Sequence, residues 1–172
     1  FLDLLCVAII ADIMPMTALN YTMVKQGLKK IKTSSREAFK KLNEIMSKEI
    51  FVSDDVGFFI APKLNSAGRM DDASVALSFL LSKTSFAANE GLSLLEELNN
   101  YRKTLQEEIS KKADAKTDIN DNAVVVWGEN WHEGVIGIVA SKLSNSHKKP
   151  AFIFSIQNGI AKGSARANAN IN

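Results

Sequence analysis

The stretch from Thr84 to Lys112 constrains the fold more than any other. Leu94/Leu95, Leu98, Tyr101, Leu105 and Ile109 recur at three- and four-residue steps, and Glu and Lys fill many of the places between them. That period is helical, and a single apolar stripe means one packed face and one wet face. Starting at Thr84 or Ser85, the helix covers about 40 Å at roughly 1.5 Å per residue, longer than one small domain needs. The spacing predicts a strut between two lobes, with a boundary in the polar segment Ala113–Asn122. A chain of 172 residues has enough material for two small cores.

Beyond the strut, Val124–Trp127 is a short apolar, β-branched and aromatic run, which suits a strand covered on both faces. Gly128–Asn130 breaks it. Gly134 and Gly137 then open a helix running towards Leu143, with Trp131 and His132 at its mouth. Glycine is a poor helix former, so two of them need a reason beyond propensity. Close approach of another backbone, or of a ligand phosphate to helix-start N–H groups, is one such reason. Tight packing with no ligand is the plainer one. His147–Pro150 reads as a loop, Ala151–Ile156 as a second strand, Gln157-Asn158-Gly159 as a hairpin turn and Ile160–Ala165 as a third strand. The predicted order is β-α-β-β. The closing Lys162-Gly163-Ser164-Ala165-Arg166 offers backbone and hydroxyl donors plus a fork-shaped cation, either a phosphate clamp or an exposed strand end.

The first half reads as helices. FLDLLCVAIIADIMPM predicts a buried helix ending near Asp12, because Pro15 disfavours helical geometry at Met14. Asp3 and Asp12 stand about half a turn out of phase and cannot form one paired site. Asp12 is the odder residue, a carboxylate at the negative end of the helix dipole with apolar flanks. It is a candidate metal ligand, or else it caps a turn or pairs with a lysine. A helix over Ala18–Ile31 carries Lys25, Lys29, Lys30 and, just beyond, Lys32, most simply a solvated face. Ser34 or Ser35 is expected to cap a helix over Arg36–Ser47, with Glu37 as a capping-box partner. After apolar Val56–Ala61, Pro62 is expected to punctuate the chain ahead of a loop, Ala61–Asp72. There Lys63, Asn65, Ser66 and Arg69 crowd donors beside Ala67 and Gly68. Such a loop can hold a phosphate, or it can connect helices with Arg69 paired to Asp71 or Asp72. A helix over Ala73–Ser82 follows.

Net charge is +2 and charged residues make up 23% of the chain, so composition announces no nucleic-acid binder and any electrostatic footprint has to be local. One unpartnered cysteine, Cys6, points to a reducing, cytoplasmic setting. The run Phe1–Met16 holds two aspartates and is short for a membrane span, and it lacks the basic leader of a signal peptide. A start at Phe1 inside an apolar pattern suggests a piece of a longer protein.

Four stretches resemble one family. WHEGVIGIVASKL and KGSAR are similar to DHHA1 domains, whose signature includes G-S-x-R. DLLCVAIIADIMPM resembles the segment that closes a DHH domain. APKLNSAGRMDD is similar to the P-R-L-N-A-A-G-R-L motif, with Lys63 in place of the usual first arginine. Together they resemble the RecJ family of single-strand-specific DNA exonucleases in the DHH phosphoesterase superfamily. The resemblance implies an α/β fold in three parts: the C-terminal part of a DHH domain at 1–83, a connecting helix at 84–118 and the start of a DHHA1 domain at 119–172. It implies hydrolysis of single-stranded DNA from the 5′ end in repair and recombination, with two Mn²⁺ or Mg²⁺ ions. Asp12 would be a catalytic metal ligand, and Lys63, Asn65, Arg69, His132, Gly134, Gly163, Ser164 and Arg166 would contact DNA or phosphate. Partners would be single-stranded DNA, a single-strand-binding protein and a helicase, with no membrane. The sequence contains no Asp-His-His run and only two histidines, His132 and His147, so the chain alone is expected to be inactive. Two alternatives are another DHH–DHHA1 phosphoesterase, acting on short oligoribonucleotides and 3′-phosphoadenosine 5′-phosphate, and a non-catalytic nucleic-acid-binding module.

Overall fold

The computed structural model describes residues 1–167. The chain forms two compact units, one over Phe1–Asn99 and a second from Asn100 onward, and each is taken separately.

The first unit is helical: α1 (Leu2–Ala11), α2 (Ala18–Lys32), α3 (Glu37–Met46), a π-helical turn (Asp55–Ile60), α4 (Ala61–Met70), α5 (Ser74–Leu80) and the first half of α6 (Ser85–Asp114). Its core gathers Cys6, Ile9, Ile31, Phe39, Leu42, Val56, Ile60, Phe79, Leu92 and Leu95. On the first half of α6 the buried positions are Ala88, Leu92, Leu95 and Asn99, and further along the helix Ile109, Ser110 and Ala113 are buried. Of the predicted stripe, Leu95 and Ile109 are buried and Leu98 and Leu105 half-buried, while Leu94 and Tyr101 are exposed.

α1 is only half covered. Cys6, Val7 and Ile9 point inward, while Leu2, Leu5 and Ala8 lie exposed on the opposite side. Asp3, on the covered side, is structural. It accepts from Ser34 Oγ at 2.7 Å and from Arg36 Nε at 3.2 Å. Burial works to raise its pKa. The Ser34 hydroxyl, the Leu4 amide and the Arg36 guanidinium outweigh burial and hold the carboxyl below its usual range. This contribution to stability is present above the unfolded-state pKa and is lost as pH falls through the lowered value. Ser34 is thereby committed to Asp3, and the N-cap of α3 is Arg36 without a side-chain cap bond, so the expected capping box does not form.

α1 ends at Asp12 in a Schellman turn. Ile13 N–H donates to Ile10 O at 3.2 Å and Met14 N–H to Ile9 O at 3.0 Å. The residue after the cap in this motif takes left-handed geometry, and glycine usually supplies it. Here it is Ile13, with φ 51° and 89% of its surface exposed. A β-branched residue is strained there. Ile13→Gly is expected to raise the stability of the first unit by about 1 kcal/mol. Urea unfolding checks this, and an unchanged or lowered midpoint would count against strain at this turn.

The chain does not stop at Pro62. The π-helical turn runs straight into α4, with Pro62 at its N-terminal end. Proline lacks an N–H and crowds the carbonyl four residues back, and the wider π turn makes room for that ring. The expected phosphate-holding loop Ala61–Asp72 is therefore mostly helix.

The second unit contains the rest of α6, then β1 (Val124–Glu129), α7 (Glu133–His147), β2 (Ala151–Gln157) and β3 (Ile160–Arg166), the β-α-β-β order predicted. β1 pairs parallel to β2, and β2 antiparallel to β3, through the turn at Asn158 (φ 51°) and Gly159 (φ 76°). α7 packs Val135, Ile136, Val139, Ala140 and Leu143 against Val124, Val126, Ala151 and Ile153. Only this face of the sheet is covered among the described residues. Val125 and Trp127 on the other face are 52% and 57% exposed, so β1 alternates and is not the doubly buried strand expected. Among the described residues no helix is long and apolar enough to cross a membrane.

Candidate functional site

Each unit carries one group of the expected residues. In the first unit, Asp12, Asn65 and Arg69 line a single cavity of about 600 Å³ with Ala8, Ala11 and Met14. The local structure explains this. Ala8 and Asp12 are one helical turn apart on α1, and Asn65 and Arg69 are one turn apart on α4, so each pair shares a helix face. The Schellman turn sets Asp12 as the C-cap, exposed and free of ion pairs among the described residues. A carboxylate, an amide and a guanidinium facing one space can hold a phosphodiester and one hard cation together.

Lys63 does not join them. Two residues before Asn65, it lies about 200° away around α4. It is buried, its ammonium sits 3.2 Å from the centroid of the Phe59 ring, and Nζ donates to Phe59 O at 3.2 Å. These contacts tie α4 to the π-helical turn, on a different side of α4 from Asn65 and Arg69. Ser66 is likewise turned inward, donating to Lys63 O at 2.6 Å.

In the second unit, Ser164 and Arg166 stand on the α7 face of β3, since they pair with buried Ile153 and Ala151. Arg166 Nη1 donates to Ser164 Oγ at 3.3 Å and to Ala165 O at 2.7 Å. Gly137 makes room for both. A Cβ there would stand 3.2 Å from Ser164 Oγ and 3.5 Å from Arg166 Nη2. Close approach is thus the reason for this helical glycine, and the groups that approach are side chains of β3. The result is a hydroxyl and a guanidinium held against the first turns of α7, a chemistry suited to an anion.

Two other expectations change. Gly134 N–H donates to His132 Nδ1 at 3.1 Å, so this amide is already engaged by the N-cap and is not the open donor expected. Gly163 lies directly under Phe154, where a Cβ would come within 2.4 Å of the ring, so its small size serves cross-strand packing. His132 also lines a cavity of about 200 Å³ with Tyr101, Leu105, Glu108, Ile109, Lys112, Glu129, Asn130 and Trp131. The loop bearing it is tied to β2, as Asn130 N–H donates to Ile156 O and Ser155 Oγ to Trp131 O. Two residues went unnoticed in the sequence. Glu133 pairs with Lys162 at 3.1 Å, bridging the start of α7 to β3, and Lys116 lies 5.6 Å from the Trp131 ring. Neither pairing is signalled by spacing along the chain.

The comparisons agree along the chain. The DHHA1 domain family matches residues 120–172. The single-stranded-DNA-specific exonuclease RecJ of Bacillus subtilis is 34% identical over 173 residues, covering 96% of this chain and 22% of that protein. The RecJ of Thermus thermophilus is 33% identical over 169 residues, covering 98% of this chain and 25% of its own length. Among solved structures, exonuclease RecJ bound to manganese aligns with a TM-score of 0.86 at 34% identity, over 99% of this chain and 43% of that one. RecJ of Thermus thermophilus in complex with Mg²⁺ aligns with a TM-score of 0.89, over 99% of this chain and 27% of that one. The chain thus spans about a quarter of the curated relatives it matches. Its helical first part and its partial DHHA1 domain are thus similar, along nearly the whole chain, to one segment of those longer RecJ proteins.

Proposed function

We propose that this chain is a segment of an exonuclease that hydrolyses single-stranded DNA from the 5′ end in repair and recombination. In this reading residues 1–83 are the C-terminal part of a DHH domain, 84–118 the connecting helix and 119–172 the start of a DHHA1 domain. The observation that carries it is the meeting of Asp12, at the end of α1, with Asn65 and Arg69, on α4, on one cavity. Chance rarely puts three residues of two different family motifs on one wall.

The residues have distinct roles. Asp12 supplies one oxygen ligand to a hard divalent cation, Mn²⁺ or Mg²⁺. Asn65 and Arg69 orient the phosphodiester beside it, the guanidinium through paired N–H bonds. Ser164 and Arg166 hold a terminal 5′ phosphate, with His132 bracing the start of α7 beside them. Among the described residues no three or more His, Cys, Asp and Glu side chains come together to hold a metal ion. Asp12 is therefore one arm of a site whose other ligands are not gathered among the described residues, and no chemical step is assigned to the chain alone. A cytoplasmic location, and contact with a single-strand-binding protein and a helicase, belong to the same proposal.

The test compares two proteins. The purified 172-residue chain is expected to release no nucleotides from single-stranded DNA with Mn²⁺. The longer protein containing it is expected to degrade long single strands and to leave dinucleotides untouched. Nucleotide release by the chain alone, or a preference of the longer protein for dinucleotides, would overturn the reading.

A further inference from the structure

We propose that one face of α2, formed by Tyr21, Lys25, Lys29 and Lys32, is a contact track for single-stranded DNA, separate from both sites above. The inference rests on the exonuclease reading for its ligand, and on the following observations for its place.

α2 sits on the rest of the unit through Val24, Gly27 and Ile31. The four proposed residues fall in an arc of about 80° on the exposed side, at 100° per residue. Along the axis Lys25 and Lys29 are about 6 Å apart and Lys32 follows about 4.5 Å further. The helix ALNYTMVKQGLKKIK contains four lysines and no carboxylate. A basic helix face is commonly just solvated, and the remaining helices show what that looks like here. Four lysines on α3 and α6 have carboxylate partners one turn away, Lys40 with Glu37, Lys41 with Glu44, Lys111 with Glu107 and Lys112 with Glu108, while exposed Lys103 on α6 makes no ion pair among the described residues. α2 has no such pair along its length. Among the described residues Lys25 and Lys29 make no ion pair, and Lys32 Nζ donates to the Lys48 carbonyl without neutralising its charge. In a chain of net charge +2 this is a local concentration of positive charge on a helix that carries no carboxylate of its own.

Charge complementarity selects a polyanion, and Tyr21 narrows the choice. Its ring is 58% exposed, one turn from Lys25 and on the same face. An aromatic beside a line of cations is the arrangement that binds single strands, because unpaired bases stack on the ring while phosphates follow the cations. A duplex keeps its bases stacked inside and gains nothing from the ring. An anionic lipid surface has no base to stack.

The experiment measures anisotropy of a labelled homothymidine strand binding to the 172-residue chain across a salt series. Replacing Lys25, Lys29 and Lys32 together by Gln is expected to weaken binding about tenfold or more at low salt. It should also lower the slope of log K against log salt by about 2, at roughly 0.7 per phosphate contact. Tyr21→Ala is expected to weaken binding about fivefold or more with the slope unchanged. Circular dichroism confirms that each variant keeps its helix content. Lys111→Gln with Lys112→Gln is the control, expected to have little effect. The proposal fails if the triple variant binds like the parent chain or loses no more than the control. It also fails if duplex DNA or phosphatidylserine vesicles bind as tightly with the same dependence on Tyr21. The two readings separate cleanly. If Arg166→Ala abolishes a preference for 5′-phosphorylated strands while the triple variant is unchanged, only the α2 track is wrong. If the chain binds no single strand at all, both are.

Discussion

Gly27→Ala is expected to destabilise the first unit by about 2 kcal/mol, and Gly27→Val by about 3 kcal/mol or more. In an isolated helix the alanine change would stabilise by about 1 kcal/mol, so the sign itself is diagnostic. The reversal comes from the contact between α1 and α2. A Cβ at Gly27 would lie 2.3 Å from Cys6 Cβ and 2.6 Å from the carbonyl oxygen of Leu2. One of those atoms is backbone and the other is fixed to it, so no rotamer change relieves the clash and the helices must separate. Separation would in turn expose Ile9, Val24 and Ile31, all now buried. Removing only the thiol, as Cys6→Ala, is expected not to rescue Gly27→Ala, because the clash is with Cβ and a carbonyl. That thiol is otherwise inert, with burial pushing its pKa up to about 11. Chemical denaturation of the single and double variants tests the account. A stabilised Gly27→Ala, or full rescue by Cys6→Ala, would show that the two helices are not in contact here.

Arg166→Ala is expected to remove most of the chain's preference for a 5′-phosphorylated strand over a 5′-hydroxyl strand. Charge-assisted hydrogen bonds of this kind are worth about 1.5–3 kcal/mol, or roughly 10- to 100-fold in affinity. Ser164→Ala should cost less, since it removes a neutral donor that also steadies the guanidinium. Arg166→Lys keeps the charge and loses the planar fork, so only part of the preference should return. Gly137→Val adds an independent check from the opposite wall. It would crowd Ser164 Oγ and Arg166 Nη2 without removing a donor, and should lower the preference as well. Binding measured with the two strands side by side decides the matter. An Arg166→Ala chain that still prefers the phosphorylated end would dismiss the clamp.

Much of this architecture was readable from residues whose meaning is local. The β-α-β-β order followed from alternation between apolar runs and glycine-marked turns, and α6 followed from its period. What escaped the sequence depended on phase and on distant partners. Pro62 looked like a stop because proline usually is one, yet the π turn before it supplies the room its ring requires. With that segment read as a loop, no helical phase was assigned to it. Nothing then showed that Asn65 and Arg69 share a face while Lys63 turns towards Phe59. Gly134 and Gly137 looked alike from spacing, but one amide is taken by His132 and the other position admits β3 side chains. Asp3 and Ser34 are separated by a whole helix, and no local pattern links a carboxylate to a hydroxyl that far along the chain. The candidate residues were therefore legible as motifs, and which of them share one wall only as geometry.

The turn that follows Asp12 has one more consequence. Two main-chain hydrogen bonds brace it, from Ile13 and Met14 back to Ile10 and Ile9. Main-chain groups are the same whatever residue carries them, so the place of Asp12 and the direction of its Cα–Cβ bond are inherited from the path of the chain rather than from its neighbours' identities. The exposed side chains around it can change without moving the Asp12 backbone, provided the residue at position 13 tolerates a left-handed bend.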